Sequence, residues 1–172
     1  MNNYKKLPSM GFAESVNSVL KNMLNFNGRS RRSELWWYFL AYMLVCMICS
    51  LLLSSSPVAM AIISTILLLS LWSVTVRRLH DRGHSSWWVT IAIMVSIFTQ
   101  FYIINSGYYE IMSAVNPNIE DAIAALSGPV FSIAVLISGI MNITIFVFCV
   151  LDSKPEPNKY GNSPKYVSDD EL

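Results

Sequence analysis

Charge is what this chain has least of. Only 13% of its residues are Asp, Glu, Lys or Arg, about half the ~25% usual in a water-soluble domain. Set against 53% hydrophobic residues, that scarcity excludes an ordinary soluble globule and points to a membrane. The long apolar runs contain no acidic or basic side chain. A proton-coupled transporter, which needs such groups or broken helices at mid-membrane, is therefore disfavoured. Cysteine is scarce too: Cys46, Cys49 and Cys149 all lie inside apolar runs. The Cys46–Cys49 pair has a redox spacing but no basic or metal-binding company, so it reads as small buried hydrophobes. A signal peptide is missing. Lys5 and Lys6 are not followed by a short apolar run, and the first unbroken one starts near Leu35, so the N-terminal segment is expected to stay on the mature protein.

What is present is a set of four apolar runs, at about 35–53, 58–76, 87–104 and 129–151. Each is close to the ~20 residues that cross a ~30 Å hydrocarbon core as a helix. Ser54-Ser55-Ser56-Pro57 is a short link that makes the first two runs an antiparallel hairpin, with proline at the first helical position. Ahead of them, Phe12, Val16, Val19, Leu20 and Met23 recur at helical spacing opposite Glu14, Asn17, Ser18 and Lys21. That segment is too polar to span. It reads as an amphipathic helix capped by Ser9, lying on the membrane surface or packed beneath the bundle. Residues 1–10 are polar and expected to fray. Ser33 is the expected N-cap of the first span, and Ser85 or Ser86 that of the third.

The expected fold is thus all-α: a polytopic membrane protein with four transmembrane helices and an N-terminal amphipathic interfacial helix. Residues 1–34 form a cytoplasmic or interfacial segment, 35–151 the transmembrane domain, and 152–172 a cytoplasmic tail. The one long loop, 105–128, carries Glu110, Glu120 and Asp121 but no Lys or Arg. Asn118 caps a short helix there that runs to about Leu126, and Ile119, Ile123 and Leu126 share a face suited to docking on the bundle rim. Three prolines and a glycine in 155–164 exclude a helix through most of the tail. All twelve Lys and Arg residues fall in the N-terminal segment, the second link or the tail. The positive-inside rule then places both termini in the cytoplasm.

Three stretches concentrate the chemistry. The first is Phe26-Asn27-Gly28-Arg29-Ser30-Arg31-Arg32-Ser33-Glu34-Leu35-Trp36-Trp37. The second is Arg77-Arg78-Leu79-His80-Asp81-Arg82-Gly83-His84-Ser85-Ser86-Trp87-Trp88. The third runs from Asp152 through Asn158-Lys159-Tyr160-Gly161-Asn162-Ser163-Pro164. In this order they resemble the motifs of the domain of unknown function 805 family of small bacterial inner-membrane proteins: F-x-G-R-x-x-R-x-E-Y-W-W, R-L-H-D-R-G-x-S-x-W-W and D-x-x-x-x-x-N-x-Y-G-x-x-P. The likeness covers nearly the whole chain. Leu35 stands where the family usually has tyrosine, and Pro157-Asn158 lacks the usual glycine. The resemblance implies a multi-span inner-membrane protein and no established activity.

All three stretches sit at the cytoplasmic ends of expected spans. The candidate cluster is Arg29, Arg31, Arg32, Glu34, Arg77, Arg78, His80, Asp81, Arg82 and Asp152, with Trp36, Trp37, Trp87 and Trp88 as interface anchors. Its structural reading is a polar clamp in which Glu34 and Asp81 take arginine forks across helices, with the tail folding under through Asn158 and Tyr160. Its functional reading uses the surplus of arginine over carboxylate. Arg31, Arg32, Arg78 and Arg82, flanked by Trp36 and Trp87, would hold an anionic lipid headgroup or another phosphate-bearing ligand. His80, Asp81 and His84 have a spacing that can chelate a metal, but Gly83 interrupts the helix between them. No nucleophile with a local signature accompanies His80 and Asp81, so no catalytic residue, metal or cofactor is assigned. Asn142, the notable polar group at mid-span, reads as packing. A protein-partner role, as a regulator, assembly factor or toxin antagonist contacted through the loop around Tyr108 and Tyr109, is the alternative. Homo-oligomerisation fits that alternative, and nothing calls for nucleic acid.

Overall fold

A computed structural model describes residues 4–52 and 57–168. The Ser54–Ser56 link lies outside the described residues. The chain is mostly helical and forms two compact units, one from residues 1–86 and 147–172 and the other from 87–146.

In the first unit, β1 (Tyr4–Lys6) is followed by α1 (Phe12–Lys21), α2 (Arg32–Leu52) and α3 (Pro57–Asp81). The tail then ends in β2 (Tyr166–Ser168). Within the N-terminal segment expected to fray, Tyr4–Lys6 is instead ordered: β1 and β2 pair antiparallel, Lys6 opposite Tyr166. Each strand is three residues long, which is too short to leave a sequence signal. Gly11, not Ser9, precedes α1, and its N–H donates to Glu14 at 3.4 Å. α1 packs on α2 and α3 through buried Ser15 and Val19 and through an edge-on contact of Phe12 with Trp37, centroids 5.9 Å apart.

α2 begins at Arg32, so Ser33 lies in the first turn rather than at the cap. α3 is longer than the expected second span. Its 25 residues cover about 37 Å, and it carries Arg77, Arg78, His80 and Asp81 on its last turn instead of delivering them to a link. It stops at a Schellman motif. The Gly83 N–H donates to His80 O at 2.9 Å and the His84 N–H to Leu79 O at 3.0 Å. Gly83, at φ +84°, takes the left-handed position that this motif requires.

The second unit holds α4 (Trp87–Asn105), α5 (Tyr108–Ser113), α6 (Ile119–Ala125) and most of α7 (Pro129–Val150). α4 starts directly after Ser86. α5 is a turn and a half that the loop reading did not anticipate. α6 begins as expected, with Asn118 Oδ1 accepting the Glu120 N–H at 3.0 Å. Its docked face is a correction: Ile119 and Ile123 are exposed and Ala122 is buried. Gly128, just ahead of Pro129, lies under the Tyr102 ring, where an added Cβ would meet the hydroxyl at 2.6 Å.

Burial runs opposite to that of a water-soluble protein. Leu51, Met94, Ile97, Phe101, Leu136 and Ile143 are well exposed on the long helices, while Arg78, Asp81, Ser70 and Ser73 are fully buried. Such a surface suits a hydrocarbon solvent. Among the described residues, α2, α4 and α7 are each long and apolar enough to cross a membrane. Hydroxyls within the helices bond back to their own backbone, Ser96 to Ala92 O and Thr144 to Ile140 O, both at 2.8 Å. Asn142 does likewise, reaching Ser138 O at 2.8 Å.

Candidate functional site

The first unit is tied together at Asp81, the last residue of α3. Its carboxylate is fully buried and takes two arginines. Arg29 Nε donates to Oδ1 at 2.9 Å, and Arg78 Nη1 donates to Oδ2. A carboxylate this deep is tolerable only when paired and hydrogen-bonded. Arg29 reaches it from the turn after α1, which Gly28 reverses at φ +83°. The Ser30 N–H fixes that turn by donating to the Arg77 carbonyl of α3 at 3.1 Å.

Many further arginine donors go to the backbone where α7 ends and the tail begins. Arg78 Nε donates to Cys149 O at 3.2 Å and Nη2 to Leu151 O. Arg32 Nη1 takes Val150 O at 3.2 Å and Arg82 Nη1 takes Asp152 O at 2.8 Å. Arg29 takes Lys154 O at 2.6 Å, Glu156 O at 2.8 Å and Gly161 O at 3.2 Å. Arg31 bonds Pro164 O and Pro8 O. The last carbonyls of a helix lack intrahelical partners and carry partial negative charge, so guanidinium forks suit them. The result is a clasp in which five arginines from the N-terminal turn and the end of α3 grip the tail by its backbone.

Glu34, in the first turn of α2, forms a second buried node. Ser18 Oγ donates to it at 2.9 Å, Ser30 Oγ at 2.7 Å and Arg77 Nη1 at 3.4 Å. Arg77 keeps Nε and Nη2 without a hydrogen-bond partner. A cavity of about 490 Å³ beside this node is lined by Glu14 and Glu34 as well as Arg29, Arg31 and Arg77.

The two histidines take separate aromatic partners. The His80 ring stacks on Tyr160, centroids 3.7 Å apart and planes 4° apart. Its Nδ1 lies 3.2 Å from Gly28 O, which fixes Nδ1–H as the donor. A tight turn from Asn158 to Gly161 presents that tyrosine, and Asn158 Nδ2 donates to His80 O at 2.9 Å. The His84 ring stacks on Phe148 at 3.8 Å, and burial, Arg82 and Lys154 all lower its pKa. No group of three His, Cys, Asp or Glu among the described residues could hold a metal ion.

Asp152 is half exposed. It pairs with Arg32 at 3.1 Å and with Lys165 Nζ at 2.6 Å. Partial burial alone would raise its pKa, but the bonds from Lys165 and Ser153 and the charge of Arg32 hold it below the usual value. Trp36 lies edge-on to Phe39, Trp37 meets Phe12, and Trp87 and Trp88 open α4.

All ten residues of the expected polar cluster thus fall in the first unit. Arg78, expected to face a ligand, is instead fully buried among carbonyls and Asp81. Sequence reasoning missed Ser18, Ser30 and Ser153, whose hydroxyls complete the nodes, because isolated serines carry no signature. It read Lys6 and Lys165 only as topology charges. The structure sets them side by side where the terminal strands pair.

A model of the family described as protein of unknown function (DUF805) matches residues 23–162, the interval that contains all three motifs. The inner membrane protein YhaH of Escherichia coli strain K12 is 31% identical over 84 residues, which cover 44% of this chain and 69% of YhaH. The inner membrane protein YhaI of the same strain is 32% identical over 78 residues, covering 43% of this chain and 66% of YhaI. No solved structure matches the chain.

Proposed function

The chain belongs to the DUF805 family of proteins of unknown function, and on that premise we propose a non-enzymatic, four-span protein of the bacterial inner membrane. Both termini lie in the cytoplasm, α3 is the fourth span, and α1 is an amphipathic helix at the interface. The basic face at the span ends binds anionic lipid headgroups.

The location is supported by the inner-membrane relatives, and the orientation by the confinement of every Lys and Arg to three segments. One observation carries the lipid reading. Arg31 and Arg82 are bonded to neutral carbonyls rather than carboxylates, and Arg29 and Arg78 share the single carboxylate of Asp81. Carbonyls satisfy the geometry of a guanidinium without cancelling its charge. The face is held rigid while staying positive, and each such charge near an anionic leaflet contributes about 1 kcal/mol.

Extraction of the protein with its surrounding bilayer in polymer-bounded discs tests this. Phosphatidylglycerol should be enriched several-fold over phosphatidylethanolamine relative to the bulk membrane. An Arg82→Gln/Lys154→Gln variant should lose most of that enrichment, as should wild-type protein re-equilibrated with mixed-lipid bilayers in high salt. Lipid composition equal to the bulk membrane in wild-type discs would overturn the reading.

A further inference from the structure

We propose that a small cavity between the terminal β-ribbon and the first turn of α2 is a binding site for a phosphate group. It rests on the reading of this face as an anion-binding one, and narrows it to one cavity and one functional group.

The cavity measures about 210 Å³ and is lined by four cations, Lys6, Arg31, Arg32 and Lys165, and two hydroxyls, Ser9 and Ser33. Leu7 is the one apolar wall, and no carboxylate lines it among the described residues. Chain topology gathers these groups from opposite ends of the sequence. Lys6 ends β1, and the next N–H, that of Leu7, donates to Lys165 O at 2.9 Å. The ribbon thereby brings both lysines into the lining of one cavity. Arg31 anchors the ribbon to the start of α2 by bonding Pro8 O on one strand's exit and Pro164 O on the other's approach.

Among the described residues, the cations of the cavity outnumber the carboxylates paired with them. Asp152 pairs with Arg32 and Lys165, and it is half exposed. The bonds of Arg31 are to carbonyls, so its charge persists. Ser9 and Ser33 add donors of the kind that complete a phosphate shell, and α2 presents its positive end there. The neighbouring larger cavity differs in that Glu14 and Glu34 line it, so an anion entering it meets two carboxylates.

Size restricts the ligand. The volume equals roughly seven waters at ~30 Å³ each, and ligand pockets for larger organic molecules start near 300 Å³. A phosphate with part of its hydration fills it, and whatever that phosphate is attached to stays outside. The shared chemistry is a phosphate oxyanion, supplied by a lipid headgroup or by free phosphate.

The test uses the full-length protein in two kinds of disc. In phosphatidylcholine discs, calorimetric titration with inorganic phosphate at constant ionic strength measures the free anion. In discs of mixed phosphatidylcholine and phosphatidylglycerol, lipid retention measures the headgroup. Lys6→Gln should weaken whichever probe binds by about five-fold, Lys6→Gln/Lys165→Gln should weaken it further, and Lys6→Arg should bind as wild type. Saturable, Lys6-sensitive binding of inorganic phosphate without phosphatidylglycerol enrichment would support the cavity and sink the lipid reading. Phosphatidylglycerol enrichment that falls in Lys6→Gln supports both. Enrichment that is lost in Arg82→Gln/Lys154→Gln but unchanged in both Gln variants of the ribbon, with no binding of inorganic phosphate, overturns the cavity and leaves the wider reading standing. No binding of either probe overturns both.

Discussion

An Asp81→Ala variant is expected to lose about 3–5 kcal/mol of stability, the cost of stranding buried cations. For a chain of this size that corresponds to a fall in Tm of about 10 °C. The expectation follows from the partner list of the carboxylate. Arg29 and Arg78 both end on it, with side chains at most 1% exposed. Among the described residues neither has another carboxylate. Removing Asp81 leaves two guanidinium charges in a dry site with only neutral carbonyls and the Ser153 hydroxyl for company. Asp81→Asn keeps one acceptor oxygen and should fall between wild type and alanine. Thermal unfolding in mild detergent, together with the rate of tryptic cleavage at Lys159, measures both effects. A change in Tm below about 2 °C for the alanine variant would contradict the assignment of Asp81 as the central node.

An Arg78→Lys change, nominally conservative, is expected to cost about 2–4 kcal/mol. Arg78 is wholly buried, and its fork holds acceptors on two stretches of chain besides Asp81. These are Cys149 O, Leu151 O and Ser153 Oγ, the last at 3.2 Å, where α7 gives way to the tail, and Ser30 O on the N-terminal turn at 3.4 Å. An ammonium group keeps the charge for Asp81 but cannot span that set, so buried carbonyls lose their donors. The defect should be local as well as global. Hydrogen exchange of amides in 151–164 should rise by more than that of α4, because the tail is the segment the fork secures. Equal protection of the tail in Arg78→Lys and wild type would show that the other arginines suffice.

Much of the architecture can be read from the residues, for reasons that vary by element. α2, α4 and α7 are legible because their apolar runs have the length of a bilayer and end at serine, tryptophan or proline. The last turn of α3 was harder. Arg77, Arg78, His80 and Asp81 look like the charges of a loop, yet the helix continues through them because their partners lie on the turn after α1 and on the tail. The terminal ribbon was not legible at all. Tyr4–Lys6 and Tyr166–Ser168 are short and polar, and only long-range pairing makes them strands. The clamp was half legible. That Asp81 and Glu34 take arginines follows from the cost of burying them, but which arginine goes where does not. Arg29 finds Asp81 across 52 residues and Glu156 O across 127, and bonds from a side chain to a backbone carbonyl leave no mark in a sequence. For the same reason Arg78 looked available to a ligand, whereas Lys6, Ser9, Ser33 and Lys165 drew no notice as a set.

The proposal as a whole depends on a single leaflet facing every cation. Single cysteines introduced at Tyr109 and Lys159, in a background with Cys46, Cys49 and Cys149 replaced by alanine, measure this directly with a membrane-impermeant maleimide. Spheroplasts should label at position 109 and stay unlabelled at 159 until the membrane is broken. Labelling of position 159 from outside intact spheroplasts, or protection of 109 there with labelling only after lysis, would contradict the account.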